Sequence, residues 1–213
     1  MGAAIAASIF ALLSASAQHD LQRCGVNETG LEQLVALPLS EFDQDVQRGW
    51  RPISARKGCD RAAAEVLTAY MLYSRPSAPD NLKSLRWHAG QVLADAGESA
   101  RAIAFFQGSY EPTPKDGSPN AWNLYVDGTI AFLRKDRATL DKATTALAAI
   151  PVSEETKAER RAIMAEQRKA NPGVTINYPK GFVDDPPNLS VLKGFQRSFD
   201  KPYAEAYGGH CEG

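Results

Sequence analysis

The chain has 213 residues, 44% of them hydrophobic and 23% charged, and a formal charge of −1. That composition can bury a core and excludes a long disordered chain. With no Lys/Arg-rich stripe to neutralise phosphates, nucleic acid is excluded as an expected partner.

Residues 1–17 read as a signal peptide. An uncharged apolar run ends in Ala15-Ser16-Ala17, the small-x-small pattern that signal peptidase cuts, here before Gln18. The run is shorter than the roughly 20 residues of a membrane span. No Lys or Arg precedes it, so a buried N-terminal helix or an uncleaved anchor is the alternative. Residues 18–213 are expected to form a single α-helical domain, exported and periplasmic, with no transmembrane segment after cleavage. In an oxidising compartment two of the three cysteines should pair. Cys24 and Cys59, each just outside an expected helix, are the better pair. Cys211 lies beside His210 in "GGHCEG", an expected flexible tail with too few ligands for a metal.

From there the chain reads as helices and no strand. "TGLEQLVAL" carries Thr29 and Glu32 in capping-box spacing and stops at Pro38. "SEFDQDVQRGW" is a short helix capped by Ser40, with Phe42 and Val46 on one face. "CDRAAAEVLTAYMLYSR" follows, capped by Asp60, with Ala63, Val66, Leu67, Tyr70 and Tyr73 at amphipathic spacing. "RPSAPD" breaks it. The next helix bears Leu82, Leu85, Ala89, Val92, Leu93 and Ala96 on one stripe and ends at Gly97, expected at a left-handed position. Ser99 caps its partner, "ARAIAFFQGSY".

After "EPTPKDGSPN", Ser118-Pro119 is expected to cap the first helix of a second pair, which divides at Asp136 and stops at Pro151. "EETKAERRAIMAEQRKA" opens with acids and closes with bases, as the helix dipole favours. Residues 172–188 should be irregular, and "LSVLKGFQRSF" a terminal helix before Pro202.

In the pair around Gly97, Gly90, Leu93, Gly97, Ala102, Phe106 and Pro114 fall at the intervals of small, large, turn and closing residues in the tetratricopeptide repeat. Residues 83–116 therefore resemble one unit of that family. Ser109 stands where the family has another Ala, and Trp87 is displaced by one position. In the second pair Asp136 takes the place of Gly97 and Asp141 that of the small Ala, a degenerate copy or a generic hairpin. The resemblance implies an all-α fold of antiparallel helical hairpins stacked as a short right-handed array, because one repeat cannot bury its own face. An irregular α-bundle is the alternative.

The sequence contains no Walker loop, HExxH, CxxC or nucleophile elbow. No cofactor, metal or catalytic residue is assigned. His88 reads as a partly buried structural histidine, and Asp43-x-Asp45 and Asp184-Asp185 as solvated acids or caps. Asn27 and Asn188 begin glycosylation triplets that matter only in a eukaryotic secretory pathway. Aromatic rings concentrate in the two central hairpins, and "NAWNLYVDGTIAFLRKD" is apolar on two faces, as a helix packed between neighbours requires. Arg86, Trp87, Asn120, Trp122, Asn123 and Tyr125 are the candidate lining of a peptide groove. The functional expectation is a non-catalytic protein- or peptide-binding scaffold in the cell envelope. A small helical periplasmic enzyme and a purely structural envelope component are the alternatives.

Overall fold

A computed structural model describes residues 9–74, 78–178 and 181–208. Residues 1–8, 75–77, 179–180 and 209–213, the last including His210 and Cys211, lie outside them. The described residues are helical and contain no strand, so the all-α class holds. The chain divides into two compact units, one running to Ser109 and the other starting at Tyr110.

The first unit is built around α4 (Asp60–Tyr73). Its alanines make this possible: Ala62, Ala63, Ala64 and Ala69 are buried together with Val66, Leu67 and Tyr70, so neighbours approach closely from several sides. Those neighbours are α1 (Ala15–Arg23), α2 (Glu28–Val35), α3 (Arg51–Ser54) and α5 (Pro79–Asp95). The Ala15-Ser16-Ala17 sequence forms the first turn of α1, with Ala17 buried. Cys24 at the end of α1 is disulfide-bonded to Cys59 at the start of α4, with Cα atoms 5.8 Å apart, as expected. The far end of α4 holds the far end of α2, because Tyr70 Oη donates to Leu37 O at 3.0 Å and Ser74 Oγ to Val35 O at 2.5 Å.

Helix α6 (Ser99–Gln107) packs on α5. Between them Gly97 has φ +77°, the left-handed turn the sequence anticipates. Glu98 N then bonds Leu93 O, and Gly97 N bonds Ala94 O, which satisfies the last carbonyls of α5. A Cβ on Gly90 would sit 2.6 Å from ring carbons of Phe106, so the glycine leaves the space that ring fills. Leu93, Ala102 and Phe106 are fully buried. Pro114 lies beyond this unit, in the loop before the next helix, and its carbonyl accepts from Gly117 N.

The second unit begins with α7 (Ala121–Leu133) and α8 (Arg137–Ala148). Helix α7 buries residues on both faces: Tyr125, Val126 and Thr129, then Ile130, Ala131 and Phe132. Helix α10 (Leu189–Arg197) covers both α7 and α8, and α11 (Tyr203–Gly208) packs on α10. Phe132 stacks on Phe195 at 4.5 Å, and Tyr203 lies 5.5 Å from Phe195. Helix α9 (Glu154–Ala170) has acids in its first turn, Arg168 and Lys169 in its last, and no buried residue.

Several local expectations are corrected. The cap of α2 is Asn27, whose side chain accepts from Gly30 N; Thr29 is inside the helix. Residues Ser40–Gln44 form one π-type turn, not a helix reaching Trp50, and Val46 is exposed. Asp60 is the first residue of α4, following the Cys59 cap position, and Tyr73 is exposed. Glu98 and Asn120, not Ser99 and Ser118, occupy the cap positions of α6 and α7. The left-handed residue of the second hairpin is Lys135, at φ +57°; Asp136 follows it as the α8 cap, accepting from Thr139 N. That register makes Leu140, not Asp141, the counterpart of Ala102. Asn27, Asn120 and Asp136 each accept from a backbone N–H of the first turn, which is why they hold the cap positions, whereas Cys59 and Glu98 make no side-chain cap hydrogen bond.

Candidate functional site

The residues expected to line a groove have mostly local partners. Trp87 is buried with its ring 4.5 Å from that of Phe106. Arg86 donates to Gly108 O at 2.8 Å and ties α5 to the end of α6. In the second unit Asn120 caps α7 and donates to Glu111 Oε2 at 2.9 Å. Asn123 holds the Glu111 backbone at both ends, accepting from its N–H and donating to its carbonyl. Tyr125 is buried, and half-buried Trp122 meets it edge-on at 5.8 Å. Arg86 and Trp87 thus join α5 to α6, Asn120 and Asn123 join α7 to the loop at Glu111, and Tyr125 meets Tyr207 of α11.

Two features of the first unit stand apart from such fastening. One is a polar cluster around Asp43. Pro38 O accepts from both Glu41 N and Phe42 N, winding residues 40–44 into the π-type turn. The chain then reverses at Gly49, φ +62°, where a Cβ would fall 1.9 Å from Phe42 O. Only glycine permits that approach. The reversal lays Trp50 beside Asp43, whose side chain is 2% exposed. Asp43 Oδ1 accepts from Trp50 Nε1 at 2.9 Å and lies 2.7 Å from His88 Nδ1 on α5. Arg51 Nε donates to Asp43 O at 2.8 Å, and its guanidinium sits 4.5 Å above the Trp50 ring.

Burial alone would raise the Asp43 pKa. The hydrogen bond and charge of His88, the Trp50 donor and the Arg51 charge together outweigh it, and the carboxyl lies below its ordinary 3.8. The carboxylate therefore locks the turn to α5. An aspartate on Nδ1 fixes the ring's orientation and leaves Nε2 as the nitrogen available for proton transfer. Among the described residues no hydroxyl or thiol is hydrogen-bonded to the ring. Of the Asp43-x-Asp45 pair, Asp43 is buried and engaged as above, and Asp45 Oδ1 accepts from Gln47 N. Among the described residues no group of three His, Cys, Asp or Glu side chains is placed to hold a metal.

The other feature is a groove of about 600 Å³ between α2 and α3. Its floor is Val26, Leu34, Leu37, Pro52 and Ile53. Gln33, Gln47, Arg48 and Arg56 line it as well, and no carboxylate does. Gly25 and Gly30 keep the α2 side low. Arg48 pairs with Glu41 outside the groove. Arg56 Nε donates to Pro52 O at 3.3 Å, and its guanidinium forms no ion pair among the described residues. Sequence reasoning missed this site, although one signal was present. Gly30 and Leu34 are spaced as a second stripe on α2, continued by Leu37 just past its end, beside the buried Leu31 and Val35 stripe.

In the second unit a hollow of about 440 Å³ lies beside Arg160 and Asn188. Arg160 Nη1 there donates to the carbonyls of Phe182, Val183 and Asp185, which ties α9 to the segment before α10. No helix among the described residues is long and apolar enough to cross a membrane. No family model, curated protein or solved structure matches the chain.

Proposed function

We propose that this chain is an exported, non-catalytic scaffold of the bacterial cell envelope, periplasmic and divergently tetratricopeptide-like, that binds protein or peptide segments. The observation that carries the binding reading is the groove between α2 and α3, an apolar floor edged by amides and arginines. The Cys24–Cys59 disulfide and the Asp43 cluster brace its surroundings, so a ligand meets a preformed surface and little ordering cost is added on binding. The disulfide supports an oxidising compartment. The nested contact of Gly90 with Phe106 and the left-handed Gly97 support the repeat relationship.

Two measurements test this. N-terminal sequencing of exported material should begin at Gln18; a retained apolar leader contradicts cleavage. Fluorescence anisotropy with a pool of labelled random hexapeptides should show binding that Leu34→Asp abolishes. Val46→Asp, on an exposed residue outside the groove lining, should leave it intact. Equal binding by both variants removes the groove from the proposal.

A helical enzyme is the second reading, favoured by the Asp43–His88 pair. Turnover of a chromogenic ester panel, lost in His88→Gln with the fold retained, would move the assignment to it.

A further inference from the structure

Resting on that binding reading, we propose that the α2–α3 groove is a receptor for peptide carboxyl termini that end in an apolar residue, with Arg56 receiving the terminal carboxylate. Three observations converge on this ligand. The groove is lined by two arginines and no acid, so its charge calls for an anion. Of the two, Arg48 is compensated by Glu41, whereas Arg56 is anchored only through Nε to Pro52 O. Its terminal nitrogens, one of them lying over Gly25, have no acidic partner among the described residues. A planar guanidinium fixed at Nε still presents a pair of N–H donors to a carboxylate.

The floor then asks for an apolar side chain next to the charge. Val26 and Ile53 are buried and Leu34, Leu37 and Pro52 half-buried, a surface that one aliphatic or aromatic side chain would cover. Finally, Gln33 and Gln47 are exposed primary amides lining the groove. Each offers a donor and an acceptor, the complement of a peptide bond's N–H and C=O. A hydrocarbon chain has no use for those amides, so a peptide suits the lining better than a fatty acid. The order carboxylate, apolar side chain, backbone amide is that of a peptide's last residue.

The test uses the full oxidised chain and three probes: fluorescent hexapeptides ending in Leu, Val or Phe as free acids, the same pool amidated, and laurate. The free acids should bind about fivefold tighter than the amides, the scale of one exposed charge pair. Arg56→Gln should remove that preference by weakening the acids alone. Leu34→Asp should abolish binding of both pools. Equal binding of acid and amide, both lost in Leu34→Asp, overturns the carboxyl-terminus assignment and leaves the groove as a general peptide site. No binding by either pool, or laurate binding in preference to both, overturns the groove reading as well.

Discussion

In α5–α6 the space at Gly90 is filled by Phe106, from the partner helix of the same hairpin. In α7–α8 the space at Gly128 is filled by Leu192, from α10, with a Cβ at Gly128 falling 2.6 Å from its Cδ2. The same chain spacing separates Gly90 from Gly128, Gly97 from Lys135 and Ala102 from Leu140. The two turns share their hydrogen bonds as well: Asp136 N reaches Ala131 O as Glu98 N reaches Leu93 O. Thr144 stands where the first hairpin has Phe106, and its hydroxyl is satisfied by Leu140 O at 2.8 Å. A turn and a glycine therefore define a socket, and the identity of one later residue decides whether the hairpin fills it alone. The first does. The second recruits a third helix.

The largest effects should come from emptying each socket. Phe106→Ala should cost about 3 to 5 kcal/mol and Leu192→Ala about 2 to 5 kcal/mol, since both side chains are fully buried. Urea titration followed by fluorescence of Trp87, which touches Phe106, and Trp122, on α7, would assign each loss to its hairpin. A Leu192→Ala chain as stable as the parent would mean that α10 is not what completes α7–α8. Next in size is the disulfide, which braces only the first unit. Replacing Cys24 and Cys59 by Ser should cost about 3 to 4 kcal/mol for a loop of this length, read from the same titration.

A smaller and sharper contrast lies in the glycines themselves. Gly90→Ala drives a methyl against a rigid ring and should destabilise by about 1 to 3 kcal/mol. Gly128→Ala meets the end of a leucine, which can turn aside, while the helix gains about 0.5 to 1 kcal/mol of propensity. Its melting temperature should stay near the parent's; equal losses at both sites would show that the two sockets are equally rigid. Gly97→Ala, with open space around its would-be Cβ, should cost only the left-handed backbone term, about 1 kcal/mol.

The smallest expected effect concerns acid. Asp43 titrates below its ordinary 3.8 in the folded chain, so the stability it contributes is present above that value and lost as pH falls through the lowered one. Below about pH 4 the parent should lose stability more steeply than Asp43→Asn. Parallel pH profiles would show that the carboxylate is not what holds the turn to α5.

Gly97 was legible because an apolar stripe stops there and glycine tolerates the left-handed turn. The pairing of Cys24 with Cys59 was legible because each flanks a helix. The Asp43 cluster was not. Trp50 meets Asp43 because Gly49 lets the chain double back on Phe42, and His88 meets it from 45 residues away; no period in the sequence reports either contact. Rings were expected to line a groove, yet Trp87 and Tyr125 are buried, because helices nested this closely consume their aromatics in packing. The α2–α3 groove arises instead where glycines withhold side chains, which a search for large residues passes over.

The distance along the chain between each socket and its plug also sets an order of assembly. Gly90 and Phe106 belong to consecutive helices, and that contact closes a short loop. Gly128 must wait for Leu192, and Lys135 for the carbonyl of Phe199, which it reaches across 64 residues that include all of α9. Closing so long a loop before any contact is gained slows the search. Refolding should therefore bury Trp87 before Trp122, leaving α7–α8 as a half-dressed hairpin with apolar surface open until α10 arrives. During that interval the second unit is the part of the chain most exposed to aggregation, and stopped-flow refolding of single-tryptophan variants would time it.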